Sequence, residues 1–280
     1  MGLARHTAKK GHRVAGGAVN RTGQERSLRP LDRSPLQFQW ATGISAKAWK
    51  TYKSAITAVR DSGVEFMIGG GFALAGFTGR WRDTKDIDFY IRPHDRDRVV
   101  AALAQAGFKD YYSQVRYDRK WIYRSFKAGA IVDIIWAMAN QRAQVDEVWF
   151  QRAGRVRLRG EEMAILPIEE FMWCKFYILQ RDHCDWTDIF NVLYCSGGRI
   201  DWEHLMNRLE EDVGLLKALL TMYGWLCPKA AAKLPRSLWR NIARRERLFR
   251  GRPHRRDHIR LLDSRGWFAA QLAKGQRLEV

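Results

Sequence analysis

The sequence predicts an α/β (α+β) chain in which a sheet-forming part precedes a helical part. Short apolar strand candidates alternate with helical patterns up to about residue 160, and helical patterns dominate from Pro167 onwards. With 280 residues and 46% hydrophobic side chains, the chain is able to bury a sizeable core. We expect three parts, namely a basic arm without regular structure over 1–38, a sheet domain over 39–160 and a helical domain over 161–280.

The sheet domain begins with a predicted helix over 45–61, where apolar residues recur at helical spacing before Gly63. A short buried strand over 66–68 follows, and three glycines separate it from an apolar helix over 72–77. Glycine lets the backbone approach a ligand closely, and free N–H groups at a helix start favour anions. The glycines therefore indicate either a phosphate-binding turn or simply a tight turn.

The next strand candidate, over 86–91, carries two acidic residues that are separated by one position. Side chains alternate across a strand, so Asp86 and Asp88 share one face while Ile87 points to the other. Two neighbouring anions repel each other, and a strand that keeps them usually holds a cation. Asp86 and Asp88 are therefore candidate metal ligands.

A third acidic residue interrupts a later apolar strand. A predicted helix over 93–106 and aromatic strand candidates over 108–126 lead to this apolar strand, which we expect over 130–138. A lone buried carboxylate is costly unless it is protonated, paired or metal-bound. Asp133 would therefore complete a three-acid site, unless it lies at the solvent end of its strand.

The helical part opens with a predicted helix over 167–180 that is nearly all apolar after its first turn, apart from Lys175. A lysine in apolar surroundings reaches either solvent or an anion, and a phosphate is one such anion. Asp185 and Asp188 stand at the start of the next helix, where capping explains them as well as a functional role does. Further helices are predicted over 201–211, 214–226 and 235–249.

The net charge of +19 is concentrated at the two ends of the chain. Residues 1–33 carry a net +6 and residues 229–280 a net +11, which leaves +2 for the middle. Basic ends suit an anionic partner such as RNA or a nucleotide, although a basic surface also occurs simply as a solvated face. No apolar run reaches the ~20 residues of a membrane span, so we predict a cytoplasmic protein with no membrane partner.

Three motifs follow one another in a fixed order: IGGGFAL, then RDTKDID, then VDII. Together they resemble the nucleotidyltransferase superfamily, which includes DNA polymerase β, and most closely its bacterial branch of minimal nucleotidyltransferases and nucleotidyltransferase toxins. The resemblance spans about residues 64–136. It implies a mixed-sheet nucleotidyltransferase core followed by a helical domain. The interval from the glycines to Asp86 is long for the broader superfamily, although it fits the bacterial branch.

The resemblance implies an enzyme of EC 2.7.7 type that moves an NMP from an NTP such as ATP to an acceptor hydroxyl and releases pyrophosphate. It implies that Asp86, Asp88 and Asp133 are catalytic and bind two Mg²⁺ ions. Asp133 would hold the ion nearest the acceptor. The residues implied to bind the nucleotide are Gly70 and Gly71, with Gly69 as a register alternative, and Arg82, Thr84 and Lys175.

The acceptor is RNA such as tRNA, a protein or a small molecule, and the basic ends favour RNA over a cationic aminoglycoside. A toxin role with an antitoxin protein as partner is a further expectation. The alternative is a catalytically inactive module of the same fold that binds nucleotide or RNA. The complete set of three acids argues against this alternative.

Overall fold

The structure is a computed structural model that describes residues 36–37, 43–179, 183–250 and 258. The chain divides into two compact units, Met1–Asp32 and Arg33–Val280, and every described residue belongs to the second. Apart from residues 36–37, the predicted basic arm lies outside the described residues. Within the part of the chain that is described, no helix combines the length and the apolar character needed to cross a lipid bilayer.

Eight strands of the described chain form one sheet. They are β1 (Leu36–Gln37), β2 (Met67–Ile68), β3 (Asp86–Tyr90), β4 (Lys109–Asp110), β5 (Ile122–Lys127), β6 (Ala130–Ile135), β7 (Gly154–Leu158) and β8 (Glu161–Ile165). Their order across the sheet is β1-β7-β8-β2-β3-β6-β5-β4, with parallel and antiparallel neighbours. The predicted mixed sheet is therefore confirmed, and β2, β3 and β6 are the three predicted strands that carry or flank the motifs.

The sheet extends further along the chain than the predicted domain boundary after residue 160. β7 and β8 form an antiparallel hairpin, and β8 pairs in parallel with β2. The two residues between them, Arg159 and Gly160, both have positive φ, as a tight two-residue hairpin turn requires. Ile165 is thus still part of the sheet, and the division into domains stays a prediction.

Eight of the ten helices of the described chain match predicted ones, and the other two, Glu147–Arg152 and Pro228–Ala231, were not predicted. The ten helices are α1 (Ala46–Asp61), α2 (Gly70–Thr78), α3 (Arg96–Gln105), α4 (Glu147–Arg152), α5 (Ile168–Phe176), α6 (Trp186–Ser196), α7 (Trp202–Leu209), α8 (Val213–Leu226), α9 (Pro228–Ala231) and α10 (Arg236–Phe249). α2 starts at Gly70 and not at residue 72, because two of the three glycines form its first turn. Helical elements dominate after β8, as the sequence predicts.

The core lies against β3 and β6, whose apolar side chains Ile87, Phe89 and Val132 are fully buried. These residues alternate with the acidic ones, so the acidic side chains lie on the opposite face of the same strands. α2, α5 and α6 pack against one another. This packing brings the two helices that carry the charged residues of the helical part to the glycine-rich start of α2.

Candidate active site

The three acidic residues that the sequence singles out lie together. β3 and β6 are parallel neighbours, and Asp88 is directly opposite Asp133 in their register. One carboxylate oxygen from each of Asp86, Asp88 and Asp133 lies within 4.8 Å of the others. We call these three residues the acid cluster. Several carboxylate oxygens at this spacing are the donor set that Mg²⁺ accepts.

The nearby cationic side chains only partly balance the negative charge of the carboxylates in the acid cluster. Burial raises the pKa of Asp88 well above its usual range, Asp86 and Asp133 raise it further, and Lys175 and Arg124 only partly oppose this. Burial likewise raises the pKa of Asp133, although Arg124 acts against it. A divalent cation would supply the charge that these carboxylates lack, so the residues fit the implied metal.

Arg124 is a member of the site that sequence reasoning missed. It lies on β5 opposite Asp133 of β6, and the two side chains form a forked pair. Its Nε donates to Oδ1 of Asp133 at 2.8 Å and its Nη2 to Oδ2 at 2.5 Å. Asp133 is 1% exposed, so the buried carboxylate is paired, which is one of the outcomes that the sequence left open. Arg124 was within a predicted strand region, but its register with β6 was not readable from the sequence.

The three glycines bring the start of α2 against the acid cluster. The N–H of Gly69, which is the N-cap residue, donates to the backbone oxygen of Asp88 at 2.9 Å. Gly70 has φ +48°, and a Cβ placed on it would lie 1.6 Å from Oδ2 of Asp88. A Cβ on Gly71 would contact Thr84 at 3.3 Å. Only glycine fits at position 70, and the first N–H groups of α2 are left for a ligand.

Lys175 has two carboxylate neighbours from the start of α6. Its Nζ lies 2.5 Å from Oδ2 of Asp185 and 2.8 Å from Oδ2 of Asp188. Burial lowers the pKa of Lys175, and the two carboxylates outweigh burial and raise it, so the ammonium group stays charged. Arg82 joins the same group, with Nη1 3.1 Å from Oδ1 of Asp188. Asp185 and Asp188 therefore neutralise cations, and a phosphate contact of Lys175 stays a prediction.

One cavity of about 280 Å³ connects these groups. Eight of the nine predicted site residues line it, and Gly69 is the exception. Thr84 lies in its wall and donates a hydrogen bond from Oγ1 to Oδ1 of Asp86, which orients that carboxylate. Trp121 and Phe171 add aromatic surface to the lining. The cavity thus combines helix-start N–H groups, clustered carboxylates and aromatic rings in its lining.

A protein-family model and several solved structures are similar to this chain. The sequence model of a family described as "Uncharacterised nucleotidyltransferase" matches residues 43–227. No curated protein sequence matches the chain significantly.

Similar solved structures include a nucleotidyltransferase-like protein from Paracoccidioides brasiliensis, with 17% identity, a TM-score of 0.44, and coverage of 69% of this chain and 97% of that chain. ANT(2")-Ia in complex with adenylyl-2"-tobramycin has 17% identity and a TM-score of 0.38, covering 62% of this chain and 97% of that chain. JHP933 from Helicobacter pylori has 14% identity and a TM-score of 0.36, covering 85% of this chain and 99% of that chain.

Because the family model matches about two thirds of the residues of this chain, the chain belongs to this nucleotidyltransferase family and is an enzyme of that class.

Proposed function

We propose that this nucleotidyltransferase uses Mg²⁺ to move a nucleoside monophosphate from an NTP to an acceptor hydroxyl, with release of pyrophosphate. The observation that carries the proposal is the convergence of the acid cluster and the start of α2 on one cavity. Carboxylates suit divalent cations, and helix-start N–H groups suit phosphates. The two parts of a metal–NTP complex each meet a complementary surface.

Within this proposal, Asp86, Asp88 and Asp133 hold two Mg²⁺ ions, which when bound neutralise the phosphates and make the α-phosphorus easier to attack. Gly70 and Gly71 offer backbone N–H groups to the triphosphate. The absence of a side chain at position 70 lets the start of α2 lie directly against the Asp88 carboxylate, because a Cβ there would be 1.6 Å from Oδ2 of Asp88.

Three further residues orient the reacting groups. Thr84 fixes the direction of the Asp86 carboxylate through its hydroxyl. Arg82 has a side chain that is 55% exposed at the cavity, so its guanidinium is able to reach a phosphate without leaving a buried position. Lys175 is buried and already has two carboxylate partners, so it acts on the nucleotide through its charge and by sharing its N–H groups.

In the transfer step, the acceptor oxygen forms a bond to the α-phosphorus, and the bond from that phosphorus to the α,β-bridging oxygen breaks. Pyrophosphate leaves with the bridging oxygen, and the acceptor proton passes towards an Asp133 oxygen. The position of Asp133 supports this role, because its carboxylate belongs to the acid cluster and lines the cavity. Otherwise catalysis consists of positioning and charge neutralisation.

RNA, such as tRNA, is the acceptor that the charge distribution supports best. α10 exposes four arginines at helical spacing, and none of them has a carboxylate partner among the described residues; they are Arg236, Arg240, Arg244 and Arg247. Trp239 on the same helix is 43% exposed and offers a ring for base stacking. Arg245, by contrast, faces the protein and pairs with Glu203 at 2.6 Å. The outward face of α10 therefore presents uncompensated positive charge to a phosphate backbone.

The test incubates the purified chain and Mg²⁺ with each labelled NTP and, in separate reactions, with total RNA, total protein or small-molecule hydroxyl acceptors. We expect EDTA-sensitive label on one acceptor class and its loss in Asp88→Ala. Asp61→Ala, which changes an exposed aspartate at the end of α1, is the matched control and should label normally. Equal labelling by Asp88→Ala and the wild type would rule out the proposed role of the acid cluster.

The acceptor class is tested separately by filter retention of RNA at increasing salt. Loss of retention with salt supports RNA, and no retention at low salt removes it as acceptor. Growth arrest on expression, relieved by co-expression of a neighbouring gene product, would support a toxin with an antitoxin partner. NTP binding that is indifferent to Mg²⁺, without transfer to any acceptor, would favour an inactive module.

A further inference from the structure

The forked pair between Arg124 and Asp133 raises the question of how the third acid becomes available to a metal. Both oxygens of Asp133 accept hydrogen bonds from the guanidinium, at 2.8 and 2.5 Å. The acid cluster offers one of these two oxygens to a cation. A guanidinium and a divalent ion on one carboxylate repel each other strongly in a partly buried site. The two cations therefore compete for Asp133.

The two side chains of this pair differ in their exposure to solvent. The Asp133 side chain is 2% exposed, whereas the Arg124 side chain is 34% exposed and lines the cavity. Among the described residues, Asp133 is the one carboxylate that pairs with this guanidinium. The arginine is therefore the partner that is able to move, and the direction open to it is the cavity.

The backbone of Arg124 is held independently of its side chain. Its N–H donates to the hydroxyl oxygen of Tyr117 at 3.0 Å, and the Tyr117 hydroxyl donates to the Arg124 carbonyl at 3.3 Å. The residues on either side of Arg124 pair with β6 in the same ladder. Rotation of the guanidinium away from Asp133 thus leaves the strand in place.

We propose that Arg124 is an exchangeable counter-ion, which occupies Asp133 in the free enzyme and transfers to a phosphate of the incoming NTP. The proposal rests on the proposed function, because it assumes a metal–NTP complex in this cavity. Arg124 is a positioning residue in this scheme. It makes metal binding by Asp133 depend on the nucleotide, since the triphosphate supplies the anion that releases the arginine.

The test measures Mn²⁺ binding to the full chain from the electron paramagnetic resonance signal of free Mn²⁺, with and without a non-hydrolysable α,β-methylene NTP. Arg124→Met removes the charge, and Arg124→Gln removes it while keeping a hydrogen-bond donor. Arg124→Lys keeps the charge without the fork. Arg155→Met, at an exposed position of β7 outside the cavity lining, is the matched control.

Without nucleotide, we expect Arg124→Met and Arg124→Gln to bind Mn²⁺ at least tenfold more tightly than the wild type, and Arg124→Lys and the control to stay within threefold. With nucleotide the wild type should gain affinity, and the two neutral variants should gain less. Unchanged or weaker Mn²⁺ binding by both neutral variants would overturn the proposal. Loss of folding in both neutral variants, measured by circular dichroism, would also overturn the proposal, because Arg124 would then be required for the stability of the fold.

This measurement separates the proposal from the function on which it rests. Asp88→Asn should lose Mn²⁺ binding if the acid cluster is the metal site. Loss in Asp88→Asn together with unchanged binding in the neutral Arg124 variants keeps the metal site and overturns the exchange. Absence of Mn²⁺ binding by the wild type, even with nucleotide, would overturn both.

Discussion

Replacing Gly70 by alanine should disable the enzyme while leaving most of its fold intact. The new Cβ would lie 1.6 Å from Oδ2 of Asp88, and a real contact needs at least 3.0 Å, so the carboxylate must move by about 1.4 Å. A displacement of about 1 Å in a catalytic group costs roughly 100-fold in rate. We therefore expect Gly70→Ala to lower NMP transfer by about 100-fold or more.

The same substitution also carries a cost in stability. Position 70 has φ +48°, which costs an alanine about 1–2 kcal/mol, and the overpacking against Asp88 adds about 1–3 kcal/mol. Gly79→Ala is the matched control, since Gly79 has φ +70° but no atom within 4 Å of its Cβ position. The control should lose only about 1–2 kcal/mol in urea unfolding and keep its activity. Transfer by Gly70→Ala within twofold of the wild type would refute the reasoning.

Four further substitutions test the charges at the cavity and at one ion pair outside it. Lys175→Met leaves two buried carboxylates without their shared cation and should lower the free energy of unfolding in urea by about 3–5 kcal/mol. Arg82→Met, at an exposed position, should lower it by under about 1 kcal/mol. Equal decreases in the two variants would contradict the argument from burial. Asp88→Asn in EDTA should melt at or above the wild-type temperature, because burial and its neighbours raise the pKa of this carboxyl; a clear drop would refute the repulsion. Burial acts to raise the pKa of Asp146, but Arg208 outweighs burial and the net pKa is lowered. The stability that this carboxylate contributes is therefore present above its ordinary pKa and is lost as pH falls through the lowered value. The melting temperature of Asp146→Asn should fall less steeply than that of the wild type below about pH 5, and parallel acid profiles of the two proteins would exclude the effect.

Local patterns predicted the elements and the individual acids, because these patterns depend on neighbouring residues alone, whereas the resemblance to a family implied that the three acids share one site. Strand alternation placed Asp86 and Asp88 on one face, and the apolar run around Asp133 marked a buried strand. Arg124 was not predicted as a site residue because its pairing with Asp133 depends on the register of β5 against β6, which no local pattern encodes. The pairing of Lys175 with carboxylates of α6 likewise depends on how two helices pack.

The strands β7 and β8 were not predicted from the sequence, for a different reason. β7 and β8 are short strands rich in charged residues, and Val156 and Leu158 are the fully buried members of β7. Their alternation with arginines was visible in the sequence. The adjoining helical patterns led to a boundary at residue 160, because the Arg-Gly pair between the two segments is not one of the usual hairpin-turn dipeptides.

The strands that carry the acid cluster are adjacent in space although they are far apart along the chain, and this has a practical consequence for protein engineering. The surface loops between β3 and β6 are free to change in length without moving either carboxylate, provided that β5 and the ladder between β3 and β6 are kept. The exposed stretch around Asp118 is therefore a suitable place to insert a reporter peptide. A one-residue deletion between Ala130 and Val132 would instead turn the third acid to the other side of the sheet and move Val132 and Ile134 out of the core, so both activity and stability should be lost.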